Sequence, residues 1–100
     1  MPQAARTTDP ISPHSPCSPE KCGPGSDNVI IQGLPAYRVT DKTVPHGIPQ
    51  PARGCVPHVT PLVKGSHNVL INNKPAGRVG DNHSCGVVIV SGSDKVIING

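Results

Sequence analysis

"GSHNVLINNKPAGRVGD", residues 65 to 81, reads as a short β-branched run, a turn, and a second run ending in Arg-Val-Gly-Asp. Asn72 and Asn73 tolerate the positive φ of a tight two-residue turn, so the stretch predicts a minimal hairpin. It decides the fold because the chain repeats it. "GSDNVIIQGLPAYRVTD" (25–41) has the same length from Gly to Asp, so the two copies align without a gap. "GSDKVIING" (92–100) supplies the outgoing half of a third copy and stops at its turn. The missing return half stands at the other end, where "PQAARTTD" (2–9) matches "LPAYRVTD" and "KPAGRVGD". Three copies opened in the middle of one copy close most simply when 2–9 pairs with the strand in 92–100. The expected fold is all-β, a small pseudo-threefold ring of hairpins in one domain spanning residues 1–100.

Composition bounds what such a chain can do. Of 100 residues, 34% are hydrophobic, and Tyr37 is the single aromatic. That is too little for a deep core, and small folds of this kind need a metal, disulfides or a partner to hold them. Net charge is +3 with the arginines and lysines spread along the chain, so no basic stripe or aromatic platform marks a nucleic-acid surface. "MPQAARTTDP" has no apolar h-region, and no run approaches the roughly 18 apolar residues of a membrane span. The expectation is a protein made in the cytoplasm and exported, if at all, without a signal peptide. In a reducing cytosol, Cys17, Cys22, Cys55 and Cys85 favour metal ligation or free thiols over disulfides.

The loops between repeats carry the chemistry. They run 16 residues from Asp9 to Gly25, 24 from Asp41 to Gly65 and 11 from Asp81 to Gly92. They hold all four cysteines and four of the five histidines: His14, Cys17 and Cys22; His46, Cys55 and His58; His83 and Cys85. In a threefold ring the loops converge at one end. His58 and Cys85 each stand seven residues before a Gly-Ser, and His14 and His46 each stand five residues after an Asp. A tetrahedral structural zinc drawing ligands from each loop would cross-link the three corners and supply folding energy the core lacks. Catalytic zinc also needs an open position and usually a nearby base, and Glu20 is the only glutamate. His67, in the place of Asp27 and Asp94, reads as a surface turn residue.

The repeated "PAGRVGD" and "PAYRVTD", with "GSHNVLINNKP" and "GSDNVIIQGLP" before them, resemble the PAAR-repeat proteins, and "PQAAR" resembles the same motif with one residue inserted. The resemblance implies a β-hairpin cone whose base sits on a homotrimeric VgrG-type spike of a type VI secretion system, one copy per trimer, or on a phage-tail counterpart. It also implies a zinc near the tip bound by three histidines and one cysteine. Carried onto this chain, that ligand set is His14, His58, His83 and Cys85, with His46 in reserve. "RTTD" and "RVTD" depart from the family's Gly before Asp, which alters a turn. The long, Pro-rich second loop and the surplus Cys17, Cys22 and Cys55 are further departures. Those three cysteines could replace a ligand, hold a second metal or pair after export.

The function expected from the resemblance is a non-enzymatic tip that sharpens the spike, assists membrane puncture with transient contact at the target membrane, and rides the spike out of the cell. Repeats and loops use all 100 residues, so no appended effector domain is expected, although the second loop is a candidate surface for an effector or adaptor. The alternative is a zinc-stabilised small binding module or effector adaptor not tied to a spike.

Overall fold

The computed structural model of the chain describes residues 2–99. Met1 and Gly100, the latter in the expected third turn, lie outside the described residues. The described residues are all strand, bridge, turn and loop, with no helix among them. Strands β1 (Ile30–Ile31) and β2 (Leu34–Pro35) form one hairpin, β3 (His46–Gln50) and β4 (Gly54–His58) a second, and β5 (Leu70–Ile71) and β6 (Lys74–Pro75) a third. The repeat hairpins turn through Gln32-Gly33 and Asn72-Asn73, all four at positive φ, as tight two-residue turns require.

The Pro-Ala-x-Arg segments interlock around an axis. Tyr37 N–H donates to Ala5 O, Gly77 N–H to Tyr37 O and Ala5 N–H to Gly77 O, at 2.8–3.0 Å. The bridges Arg6–Ala36, Arg38–Ala76 and Ala4–Arg78 run the same circuit. Gln3 bridges Ile97, and Ala4 N–H donates to Val96 O at 2.9 Å, as Ala36 N–H does to Val29 O and Ala76 N–H to Val69 O. The two chain ends thus build the third hairpin equivalent.

Each Gly-Ser has a physical reason. A Cβ at Gly25 would lie 2.2 Å from Ala36 O, and one at Gly92 2.3 Å from Ala4 O, so only glycine lets these backbones meet. The following serine is buried, and its Oγ accepts the N–H of the valine three residues on, at 2.9 Å for Ser26 and 3.0 Å for Ser66 and Ser93. Each serine also reaches another copy's turn: Ser26 bonds Asn72, Ser66 the Asn99 carbonyl, and Ser93 Gln32.

Two small cores stack inside the ring. Ala4, Ala36 and Ala76 with Ile31, Ile71 and Ile98 form one, threefold in composition. Ala5, Ile11, Cys22, Tyr37, Leu62, Val87 and Ile89 form the other, nearer the loops. Cys22, Leu62 and Ile89 each stand three residues before a Gly-Ser, and their carbonyls accept from Thr8, Thr40 and Gly80. Cys22 is therefore a core residue in an Ile/Leu position. Burial pushes its thiol far above the ordinary range, which removes it from ligand chemistry.

Candidate metal centre

The ligand positions are set by the turns that end each repeat. Asp9, Asp41 and Asp81 each accept their own Arg backbone N–H, at 2.7, 2.9 and 2.9 Å. Each also pairs with that guanidinium at 2.8–3.0 Å. These buried, doubly bonded carboxylates fix where each loop leaves the ring.

The second loop, long and Pro-rich in the sequence, forms in its middle the longest hairpin among the described residues. His46 pairs with His58, Gly47 with Pro57, Ile48 with Val56, Pro49 with Cys55 and Gln50 with Gly54. Pro51 and Ala52, the latter at φ 64°, turn it, and Arg53 N–H closes on Gln50 O at 3.1 Å, a type II arrangement. Its register puts His46 and His58 directly opposite one another at the hairpin's foot, with ring centroids 4.2 Å apart.

His14, His46, His58 and Cys85 converge there, with one ligand atom from each lying within 4.8 Å of all the others. His58 Nε2 is 2.8 Å from His46 Nε2 and 3.1 Å from His14 Nε2, and Cys85 Sγ is 3.5 Å from His46 Nε2. His46 Nδ1 lies 3.0 Å from Thr43 Oγ1 and 3.3 Å from the Val44 carbonyl. That carbonyl only accepts, so Nδ1 carries the proton and Nε2 presents a bare lone pair to the centre. The Thr60 hydroxyl sits 3.0 Å from Cys85 Sγ and can donate to a thiolate. Burial lowers the His46 pKa, with the His14 charge adding to it, and burial with the charges of His46 and His14 lowers that of His58. Three imidazoles and a cysteine sulfur converging in this way are the donor set a metal ion takes, and this group can hold one.

Of the ligands expected from sequence, the structure brings His14, His58 and Cys85 together with the reserve His46. It places His83 elsewhere. His83 is fully buried, with Nε2 2.8 Å from Tyr37 Oη and Nδ1 3.2 Å from the Val87 carbonyl. It stands two residues after Asp81, where the other copies have the core residues Ile11 and Thr43. Its ring fills a core position and is committed to internal partners. The repeat register held the signal: His14 with His46, and His58 with Cys85, are the equivalent pairs. His67 is exposed, as are Asp27 and Asp94.

The cysteine expectation is corrected for two of the four. Cys17 and Cys55 form a disulfide across a sequence separation of 38, with Cα atoms 5.8 Å apart. Cys22 and Cys85 are free. Redox compartment alone does not predict this pair, because its juxtaposition depends on the register of the β3–β4 hairpin.

No curated protein matches the chain. Residues 54–100, which hold β4, the β5–β6 hairpin and the outgoing half of the third copy, match the PAAR motif. That match, on a repeated Pro-Ala-x-Arg hairpin in an all-strand fold, supports a PAAR-repeat protein.

Proposed function

We propose that the protein is the tip of a type VI spike, non-enzymatic, seated as one copy on a trimeric VgrG-type protein and pinned by one zinc. The observation that carries the reading is a repeated apolar residue: Ile30, Leu70 and Ile97 occupy the same place in the three hairpins and are 57%, 60% and 46% exposed. A monomer with threefold-related apolar contacts on the edge strands of short hairpins fits a partner with a true threefold axis.

Zinc is favoured by the donors. Tetrahedral bonds of about 2.0–2.1 Å to nitrogen and 2.3 Å to sulfur imply ligand separations of about 3.3–3.6 Å. The separations of 2.8, 3.1 and 3.5 Å here need little expansion to reach that. Bound there, the ion would tie all three loops together, a structural role in a domain with a thin core. His14, His46 and His58 would supply imidazole nitrogens and Cys85 the thiolate. The long second hairpin is the proposed surface for an effector or adaptor. Export on the spike would need no signal peptide, and contact with the target membrane would be transient.

The test mixes the purified protein with a trimeric VgrG-type spike from the same genome and measures co-elution and bound zinc. The expected result is one copy per trimer, one zinc per copy, and loss of co-elution in the Ile30→Asp/Leu70→Asp/Ile97→Asp variant. A triple variant that still co-elutes would move the contact off this face, and a wild-type chain that never co-elutes would end the tip assignment.

A further inference from the structure

Two segments are tied together twice. His14-x-x-Cys17 and Cys55-x-x-His58 carry an imidazole and a thiol at the same spacing in mirrored order. His14 Nε2 meets His58 Nε2 at 3.1 Å, and Cys17 is bonded to Cys55. The first contact belongs to the metal group. The second lies beside it and has no part in ligation.

The segment that carries His14 has few other tethers. Ser12 N–H donates to Val88 O, and Glu20 O accepts from Ile11 N–H. Between those points the backbone bond found is local, from Cys17 N–H to His14 O at 2.6 Å. The β3 strand is bare where the cross-link passes. A Cβ at Gly47 would lie 2.8 Å from Cys55 Cβ and 3.3 Å from Cys17 Cβ. The disulfide thus holds the first loop against the hairpin three residues from two of the ligands. Cys17 is buried and Cys55 is an exposed residue, so an external thiol would approach the pair from the Cys55 side.

We propose that the Cys17–Cys55 disulfide is a redox clip that tightens metal binding at His14, His46, His58 and Cys85, so that oxidation and metal loading favour one another. The proposal rests on the metal reading above. Without the clip, the ion must itself order the His14 segment against β4, and that ordering subtracts from its affinity. With the clip closed, the ordering precedes binding. Coupling of this kind is reciprocal, so bound metal protects the disulfide from reduction by the same factor. The chemistry balances through a small-molecule disulfide such as oxidised glutathione. The two protein thiols lose two electrons and two protons as their S–S bond forms, and the glutathione S–S bond breaks to give two thiols. A chain made in a reducing compartment would close the clip on reaching an oxidising one.

The test measures zinc affinity of the full chain by competition with a chromophoric chelator, in three forms with thiols counted on each. These are the oxidised chain, the chain reduced by a phosphine that is then removed, and the Cys17→Ser/Cys55→Ser variant. The oxidised form is expected to bind tighter than both others by about tenfold or more. Zinc is expected to shift the pair's equilibrium with glutathione toward the disulfide by the same factor. Equal affinities, or tighter binding by the reduced chain, overturn the clip and leave the metal reading standing. Failure of every form to bind zinc ends the metal reading and the clip with it. Two free thiols persisting at Cys17 and Cys55 under oxidised glutathione would overturn the clip alone.

Discussion

At the scale of single residues, two kinds of position stand out: those that break the repeat's chemistry and those that obey its geometry. Thr8 and Thr40 replace a Gly before Asp, yet the turn keeps its shape, with φ 73° and 80° against 93° at Gly80. A β-branched residue there is strained by roughly 1–3 kcal/mol, partly offset by glycine's greater unfolded-state freedom. Thr40→Gly should therefore stabilise by about 1 kcal/mol and raise Tm by about 4–8 °C in thermal melts. A lower Tm would show that Thr40's side chain is worth more than its strain. His46 and His83 make the second contrast. His46→Ala should abolish stoichiometric zinc, as read by metal analysis. His83→Gln should keep the metal while losing about 1–3 kcal/mol, because it disturbs the buried bond to Tyr37. Zinc lost from His83→Gln and kept by His46→Ala would reverse the assignment.

At the scale of elements, the β3–β4 hairpin is a register device. His46 and His58 face each other because four residue pairs separate them from the turn. Inserting one alanine between Val56 and Pro57 shifts His58 by one place and turns it to the other face. Zinc binding should fall at least tenfold while the three PAAR-type segments stay folded, as judged by amide exchange protection at Ala5, Tyr37 and Gly77. Unchanged zinc affinity would mean that the hairpin's pairing does not position the site. This element is hard to recognise from the sequence. "HGIPQPARGCVPH" carries three prolines and no simple alternation, and proline in a strand argues against it except at edges. Both strands of this isolated hairpin are edges, so prolines are tolerated at Pro49 and Pro57.

At the scale of the whole molecule, stability is tied to protons through the histidines. Burial lowers the pKa of His46, His58 and His83 in the folded chain. The unfolded chain therefore takes up protons first as pH falls through about 6.5, while the folded chain resists. Proton uptake by the unfolded state lowers folding stability from that pH down to the lowered folded values. Protonated imidazole also cannot ligate, so a bound metal would leave in the same window. Urea midpoints of the metal-free chain should fall between pH 7 and pH 5, and those of the zinc-loaded chain should fall further. A midpoint flat across that range would contradict the burial of these rings.

The repeat, the hairpin turns and the concentration of ligands in three loops were legible in the sequence, because identical local chemistry at fixed spacing produces identical local structure. So was the break at the ends, since "PQAARTTD" and "GSDKVIING" are halves of one unit. What only the tertiary structure decided was which side chains point inward to a core and which to a shared centre. His83 and Cys22 look like ligands by residue type, but they stand at the positions of Ile11 and Leu62 and are buried with them. His46 and the Cys17–Cys55 pair depend on the register of one long hairpin. Residue type states what a side chain can bind, and the direction in which the backbone aims it decides whether it does.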